Sequence, residues 1–350
     1  MATLKLSVLD QSPIHDGKED KQGLFDTIDL ARKCDQLGYF RYWCAEHHDT
    51  PGYASSCPEI MIGAVANATR NIRVGSGGVM LNHYSSFKVA ETFNTLSALY
   101  NNRIDLGIGR ASGANFLAAR ALHNSQGDDY AQKAYELINF LDDKIPKNDY
   151  LHGVSLSPKD VDSTPVFLLG SSQGSSYLAG RLGTGFCLAL FIGTHDRPTQ
   201  IIEDYKRNFI PSNNFKEAKS MLAVACICAN SKEEAQEIAS THTYWKVQAF
   251  RHMSRDPLQN PKKVKELYEK LSFEDKAYYH ETLDSMILGT PKECKEKIEK
   301  LALEYGVDEV VIVNVTYSFA DRIKSYELLA KEFNLNNKNI EKEKKCQIQK

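Results

Sequence analysis

Short apolar runs rich in β-branched residues recur along this chain, and amphipathic helical patterns separate them. An alternation of this kind is typical of repeated βα units around a parallel sheet. Because eight such runs are present, the pattern predicts a sheet that closes on itself as an α/β barrel, and 350 residues suffice for one such domain. The predicted strands are residues 4–10, 41–45, 72–78, 103–109, 165–170, 185–191, 221–229 and 309–315.

One helical unit near the end of the chain carries clear start and stop signals, in the stretch TPKECKEKIEKLALEYG. Thr290 is placed as the N-cap, Pro291 takes the first helical position, and Glu293 takes the capping-box position. Gly306 can supply the left-handed residue that ends a helix. The unit therefore predicts a helix that begins after Thr290, ends at Gly306 and leads into the last strand.

Two long segments interrupt the alternation, one after the fourth predicted strand (115–164) and one after the seventh (243–288). The first ends in KIPKNDYLHGVSLSPKDVDST, for which we predict a short hairpin or a lid, and the second is mostly helical. Such excursions either cover an active site or brace the barrel. We therefore predict one domain, a TIM (β/α)8 barrel over residues 1–335 with two insertions, and a polar, disordered tail over 336–350.

The composition argues against several classes of partner and location. The net charge is -2 without a basic stripe, so nucleic acid is not an expected partner. No run reaches the roughly 18 apolar residues that a membrane helix requires, and the first residues do not form a secretory leader. The 8 cysteines lack CxxC spacing, which favours free thiols in a reducing compartment. We predict a cytoplasmic protein that binds neither nucleic acid nor membranes.

The stretch YWCAEHH leaves the second strand and at once presents a carboxylate and two adjacent imidazoles, Glu46, His47 and His48. Three explanations are possible: a metal site, an acid/base site, or polar residues on a loop that have no chemical role. Neighbouring side chains of an extended chain face opposite ways, so only one of the histidines can point along the barrel axis. The other strand ends supply glycine, serine and arginine rather than metal ligands, so we predict no metal.

Three other strand ends suit a flat, anionic ligand. The sequence LLGSSQGSS leaves the fifth strand through Gly170, Ser171 and Ser172 and begins a helix whose free amides can hold a phosphate. Arg110 follows the fourth strand among glycines, where a guanidinium can bind a phosphate through two hydrogen bonds. The sequence VGSGG ends the third strand, and its missing side chains leave room for a flat ring.

Together, AEHH, VGSGGVMLNHYS, GIGRASG, LLGSSQGSSYLAGRLG and the final helical unit resemble the bacterial luciferase-like flavin monooxygenase family. The chain looks most similar to its single-chain, non-luminous oxidoreductases, from the first strand to about residue 333. The resemblance implies a TIM barrel, a homodimer and non-covalently bound, reduced FMN. It also implies O2 as co-substrate, a small organic molecule as substrate, and a separate NAD(P)H-dependent flavin reductase as partner.

The resemblance implies roles for particular residues as well. His47 matches the catalytic histidine of the family pattern, an acid/base group near the flavin, and Glu46 and His48 would support it. The segment VGSGGV matches the one that carries a non-prolyl cis peptide beneath the flavin ring, which would fall at Gly77 and Gly78. The residues implied at the flavin phosphate are Arg110, Gly170, Ser171, Ser172, Ser175 and Ser176.

Departures from the family pattern bear on the substrate and leave other functions open. The segment between GRASG and FLLGSS is short for these monooxygenases, which implies a reduced lid over the flavin. The sequence CLALFIGTH lacks the His-Phe pair often found after the sixth strand, so that pocket wall should be more apolar. The alternatives are a deazaflavin-dependent, hydride-transferring dehydrogenase on the same fold and a non-catalytic flavin-binding protein.

Overall fold

A computed structural model of the chain describes residues 4–111, 113–122, 129–194 and 197–335. The tail predicted over residues 336–350 lies outside the described residues. Within the described part of the chain, every strand pairs in parallel with its neighbours. The strands are β1 (Lys5–Asp10), β2 (Arg41–Cys44), β3 (Arg73–Ser76), β4 (Val79–Met80), β5 (Ile104–Gly109), β6 (Val166–Gly170), β7 (Gly185–Ala189), β8 (Ser220–Cys228), β9 (Ile287–Gly289) and β10 (Glu309–Val313).

Eight of these strands close a barrel in the order β1, β2, β3, β5, β6, β7, β8 and β10, because β10 pairs with both β1 and β8. The predicted TIM (β/α)8 barrel is confirmed. The third strand is shorter than predicted because pairing with β2 ends at Ser76, and the chain turns through Gly77 and Gly78 before β4 pairs with β5. The short β9 pairs with β8 alone and lies outside the barrel circuit.

Helices cover the outside of the barrel. Helix α1 illustrates the arrangement, since Leu30, Ala31 and Cys34 recur at helical spacing and are buried in the core between helices and sheet. A 3-10 turn follows β4 at Leu81–His83. The helices are α1 (Gln22–Leu37), α2 (Pro58–Ala68), α3 (Ser86–Leu99), α4 (Phe116–Leu122), α5 (Tyr130–Asp142), α6 (Gln173–Leu182), α7 (Gln200–Asn208), α8 (Lys232–Arg251), α9 (Pro261–Glu269), α10 (Phe273–Asp284), α11 (Pro291–Tyr305) and α12 (Phe319–Glu332).

A buried ion cluster closes the amino end of the barrel interior. Arg41 Nε and Nη2 donate to the two carboxylate oxygens of Glu309 at 2.5 and 3.1 Å, and Arg41 Nη1 donates to Asp105 Oδ2 at 2.5 Å. Arg73 donates to the other oxygen of Asp105 at 2.6 Å. Burial alone would lower the pKa of Arg41, but the two carboxylates outweigh it and raise that pKa. The barrel above this cluster is filled by Leu9, Trp43, Phe167, Cys187 and Met221.

The signals read at the start and end of α11 are confirmed. Thr290 Oγ1 accepts a hydrogen bond from the Glu293 amide at 3.4 Å, and Glu293 Oε2 accepts one from the Thr290 amide at 2.8 Å. Gly306 takes the left-handed conformation, with φ of 61°, directly after the last helical residue. The helix therefore begins and ends where its sequence predicted.

The first insertion forms α4 and α5 and then an irregular segment over residues 143–165. For residues 144–164 the sequence predicts a short hairpin or a lid. The hairpin is wrong, because these described residues contain no strand, and none of them lines the cavity at the carboxyl ends of the strands. The polar groups of this segment pair with neighbouring helices instead: Asn94 Nδ2 donates to Pro158 O at 2.9 Å, Thr164 Oγ1 lies 2.7 Å from Ser97 Oγ, and Ser163 Oγ donates to Asp142 Oδ1 at 2.7 Å. The segment therefore lies against the outside of α3 and α5.

The second insertion begins within α8, a helix that runs from Lys232 to Arg251. Ser231 caps this helix by accepting a hydrogen bond from the Glu234 amide at 3.1 Å. Residues 242–250 of α8 bring side chains to the carboxyl ends of the strands, and α9, α10 and β9 follow. Of the helices in the described ranges, none has the length and apolarity needed to cross a membrane.

Candidate active site

A cavity of about 640 Å³ opens at the carboxyl ends of the barrel strands. Residues that follow β2, β3, β5, β6 and β7 line it, and α8 forms a further wall. Enzymes with this fold carry their active sites at this end of the barrel, and the volume is in the usual range for cavities that bind small molecules and cofactors. The cavity is therefore the candidate active site.

The turn from β6 into α6 forms one side of the cavity. Ser172 and Ser175 make a capping box: Ser172 Oγ accepts from the Ser175 amide at 3.4 Å, and Ser175 Oγ accepts from the Ser172 amide at 3.2 Å. The amides of Gln173 and Gly174, in the first helical turn, have no acceptor within the helix. The helix end thus offers backbone donors and the positive end of the helix dipole to an anion.

The structure separates the predicted serines. Ser171, Ser172 and Ser175 line the cavity together with Gly170. Ser176 is fully buried, donates to Gln173 O at 2.9 Å, and is not among the cavity-lining residues. A Cβ at Gly170 would lie 2.2 Å from Ser175 Oγ, so this position must be glycine for the capping box to form.

Gly77 and Gly78 border the cavity beside Leu9. The peptide between them is cis, as the family resemblance implied. A Cβ at Gly77 would lie 2.5 Å from Leu9 Cδ1, and one at Gly78 would lie 2.9 Å from the backbone of Gly107. These two positions therefore exclude any larger residue and present bare backbone to the cavity.

Arg110 follows β5 and also lines the cavity. Since β5 and β6 are neighbours in the barrel, Arg110 and the α6 end belong to adjacent strand ends. The sequence-predicted phosphate ligands thus share one side of the cavity, with the exception of Ser176.

Glu46 lines the cavity and accepts hydrogen bonds from three neighbouring residues. Its Oε1 accepts hydrogen bonds from His48 Nε2 at 2.8 Å and from Tyr84 OH at 2.9 Å, and its Oε2 accepts one from the Met80 amide at 3.1 Å. The residue is buried, and its charge together with burial raises the pKa of Tyr84. The carboxylate therefore anchors the segment that follows Gly77 and Gly78.

The two histidines face opposite ways, as predicted for an extended chain. His48 does not line the cavity; its ring contacts Glu46 and lies edge-on to His83 at 5.9 Å. His47 lines the cavity, and its ring lies 4.6 Å from that of Tyr53. Burial, helped by the charge of Arg255, lowers the pKa of His47 to about 4, so the ring is neutral at pH 7.

Hydrogen bonds indicate which nitrogen of His47 carries the proton. Ser55 Oγ lies 3.3 Å from both Gln11 O and His47 Nδ1, and with its single hydrogen directed to Gln11 O it accepts from Nδ1. This assigns the proton to Nδ1 and leaves Nε2 as a proton acceptor. The neutral imidazole beside the cavity is therefore set up as a base or hydrogen-bond acceptor.

Sequence reasoning missed an entire wall of the cavity. Tyr53 packs on Trp245 with ring centroids 4.8 Å apart, and Tyr53 OH lies 3.4 Å from His242 Nε2. Lys246 and Arg255 line the same wall. These residues come from a loop after β2 and, about 190 to 200 positions later, from α8 and the loop that follows it, so no local pattern joins them. Trp245, one of only 2 tryptophans, was the available signal.

No group of three or more His, Cys, Asp or Glu side chains in the described ranges is arranged to hold a metal ion. The polar residues around the cavity are instead mainly hydroxyl groups, imidazoles and cations, with Glu46 as the one carboxylate among the described lining residues.

The closed barrel and the cavity at its carboxyl end define the protein as a (β/α)8-barrel enzyme. Residues 4–309 match the sequence model of the luciferase-like monooxygenases. The chain belongs to the luciferase-like monooxygenase family, and it is an enzyme of the flavin-dependent monooxygenase class.

Three similar proteins show the extent of the relationship. The chain is 38% identical to the uncharacterized protein YvbT of Bacillus subtilis, over 93% of this chain and 95% of that protein. It is 34% identical to the N-acetyl-S-alkylcysteine monooxygenase of the same organism, over 93% of this chain and 97% of that enzyme. The crystal structure of apo-MsnO8 matches with a TM-score of 0.84 and 34% identity, over 95% of this chain and 98% of MsnO8.

Proposed function

We propose that the protein uses reduced FMN and O2 to oxygenate a small organic substrate. The observation that carries this proposal is the convergence of the α6 end, the bare Gly77–Gly78 backbone and the neutral His47 on one cavity. A separate NAD(P)H-dependent reductase would supply the reduced FMN. In support, an FMN-bound type II Baeyer-Villiger monooxygenase shares the fold, with a TM-score of 0.71 and 19% identity.

The residues present fit FMN. Arg110 and the free amides of the α6 end would hold the phosphate, because a guanidinium and a helix N-terminus both favour bound anions. The backbone of Gly77 and Gly78 would lie against the flat ring system, where no side chain intervenes. When bound, reduced FMN supplies the oxygen-activating chemistry, and the protein supplies binding, orientation and proton management.

In this proposal His47 is the proton-handling group. Its Nε2 lone pair can accept a proton during turnover, while Ser55 holds Nδ1–H and fixes the ring orientation. The low pKa keeps the ring neutral, and so able to accept, throughout the physiological range. His48 and Glu46 act indirectly, because they hold Met80 and Tyr84 beside the glycine backbone.

Aromatic side chains form part of the wall around this site. Trp245, Phe191 and Phe250 line the cavity, which favours apolar substrates and protects a reactive flavin from solvent. By its name, a relative 34% identical to this chain oxygenates N-acetyl-S-alkylcysteines. We therefore include thioethers among the candidate substrates.

We further propose a cytoplasmic homodimer. The described cysteines are free thiols, six of the seven buried, which suits a reducing compartment. Dimerisation follows the family resemblance, and sedimentation of the purified protein would test it.

Anaerobic titration with reduced FMN tests the proposed cofactor. We expect saturable binding by the wild type and about 10-fold to 100-fold weaker binding by Arg110→Gln, the loss typical of a charge-assisted hydrogen bond. Arg70→Gln is the matched control, since Arg70 is exposed and does not line the cavity. Binding of a deazaflavin in place of FMN would favour the hydride-transfer dehydrogenase, and FMN binding without turnover of any substrate would favour a flavin-binding protein.

A further inference from the structure

Two cations line the active-site cavity on the wall formed by α8 and the loop that follows it. Lys246 is buried, and its Nζ donates a single hydrogen bond, to Phe191 O at 2.7 Å. Arg255 is half-buried and lies close enough to His47 to lower the pKa of that imidazole. The side chain of Arg255 makes no ion pair or hydrogen bond within the described part of the chain.

No acidic side chain balances these cations. Among the described residues that line the cavity, Glu46 is the only carboxylate, and its oxygens already accept from Met80, Tyr84 and His48. A buried charge without a partner is costly, and proteins ordinarily pair such groups or use them to bind a ligand. Burial lowers the pKa of Lys246 to about 8, so the amine is still mainly protonated at pH 7.

These cations are separate from the residues proposed to bind the FMN phosphate. Arg110 and the α6 end follow β5 and β6. Lys246 donates to Phe191, the second residue after β7, while the carbonyl of Arg255 accepts from the Gly52 amide in the loop after β2. The wall that carries Lys246 and Arg255 therefore contacts other strand ends of the same cavity.

Aromatic rings line the same cavity as the two cations. Tyr53 packs on both His47 and Trp245, with ring centroids 4.6 and 4.8 Å apart, and Trp245 also lies 6.0 Å from His242. The charge of Arg255 acts on Tyr53, and that of Lys246 acts on His242. The cavity wall thus combines an aromatic surface with two positive charges.

We infer that the substrate is an apolar molecule with a carboxylate, and that Arg255 and Lys246 bind this carboxylate. The inference rests on the proposed function and adds the class of substrate. Arg255 can present two parallel donors to the carboxylate, and Lys246 adds a second positive charge. The apolar part of the substrate lies on Tyr53 and Trp245, which places it beside His47.

A matched pair of ligands tests this inference. The probes are 3-(benzylthio)propanoate and its primary amide, which have nearly the same shape and differ in charge. We expect the acid to bind the wild type at least about 10-fold more tightly than the amide, as measured by calorimetry with and without bound FMN. Equal affinity for the two probes would overturn the inference.

Two variants test whether Arg255 and Lys246 cause the tighter binding of the acid. Arg255→Gln and Lys246→Met should each weaken binding of the acid by about 10-fold or more and leave the amide and FMN unchanged. The controls are Arg70→Gln and Lys265→Met, because both residues are exposed and lie outside the cavity. Thermal melting of each variant separates a loss of binding from a loss of folding.

The outcomes separate this inference from the proposed function. If Arg255→Gln weakens FMN rather than the acid, the guanidinium serves the cofactor and the inference is wrong. If the acid binds both variants as tightly as the wild type, the inference is also wrong, even when FMN binds. If the wild type binds the acid selectively but not FMN, the proposed function fails while the carboxylate site stands.

Discussion

At the amino ends of the strands, Arg41 is enclosed by Asp105 and Glu309, whereas at the carboxyl ends Lys246 and Arg255 face a cavity without an acidic partner in the described part of the chain. At the amino ends every charge of this group is paired, because Arg41 lies within hydrogen-bond distance of both Glu309 and Asp105. The arrangement at the carboxyl ends leaves positive charge available to a ligand. One barrel therefore uses buried charge for stability at one end and for binding at the other.

The largest effect is expected at the amino end. Replacing Arg41 by methionine leaves Asp105 and Glu309 buried with too few donors, so we expect the free energy of unfolding to fall by about 3 to 5 kcal/mol. Urea denaturation monitored by circular dichroism measures the change. The control is Arg32→Met, because Arg32 pairs with Asp29 on the surface and should cost less than about 1 kcal/mol. Similar losses for both variants would remove the distinction between the two ends.

At the carboxyl end, the largest effect should fall on turnover rather than on stability. We expect His47→Ala to bind reduced FMN nearly as the wild type does but to turn over substrate about 10²-fold or more slowly, because the proton acceptor is lost. Stopped-flow and steady-state measurements separate the two quantities. His152→Ala, which removes an exposed histidine outside the cavity, serves as the control. Unchanged turnover in His47→Ala would end the acid/base assignment.

A smaller effect concerns pH. His15 is buried, donates a hydrogen bond from Nε2 to Thr316 O at 3.1 Å, and has its pKa lowered by burial from 6.5 to about 4. The unfolded chain takes up a proton near pH 6.5 and the folded protein only near pH 4, so stability falls as pH decreases through this window. Between pH 7 and pH 5 this histidine alone should account for about 2 kcal/mol of the loss.

Urea midpoints of the wild type and of His15→Gln at pH 7 and pH 5 check this effect. The variant should lose less stability on acidification than the wild type does, because glutamine does not titrate. Two other described histidines with lowered pKa values, His47 and His242, should keep part of the pH dependence in both proteins. Identical losses in the two proteins would contradict the assignment to His15.

The smallest effect compares two helix caps with the same chemistry. Ser172→Ala and Thr290→Ala each remove an N-cap hydroxyl from a capping box, which should cost about 1 kcal/mol of stability in both cases. Only Ser172 lines the cavity, so only Ser172→Ala should also weaken FMN binding. Fluorescence titration with FMN makes the comparison, and equal affinities in the two variants would argue against a phosphate at the α6 end.

The sequence predicted the parts of the molecule that depend on local signals. Strand periodicity and the capping box at Thr290 and Glu293 act over a few residues, and the barrel and helix α11 agree with them. The cis peptide at Gly77 and Gly78 was implied by the family resemblance rather than by a local signal, and the structure has it. The wall of Tyr53, Trp245, Lys246 and Arg255 was not predictable in this way. Those residues meet only because α8 reaches over the barrel end, and that arrangement is set by tertiary packing.

Two failures have the same origin. The hairpin predicted within residues 143–165 does not form, because polar groups of that segment make hydrogen bonds with α3 and α5 instead. Ser176 was grouped with the phosphate ligands by its place in LGSSQGSS, yet one further step along the helix turns it into the core. In both cases the polar residues were visible in the sequence, but the direction in which their side chains point depends on tertiary packing.

Isotope labelling tests the central claim most directly. The protein, a flavin reductase, NADH and FMN would be incubated with 3-(benzylthio)propanoate under oxygen-18 gas, and the products would be analysed by mass spectrometry. The account predicts an organic product that carries one oxygen-18 atom, at a rate that falls sharply in His47→Ala. A product without the label, or substrate oxidation that proceeds without O2 and with a deazaflavin, would contradict it.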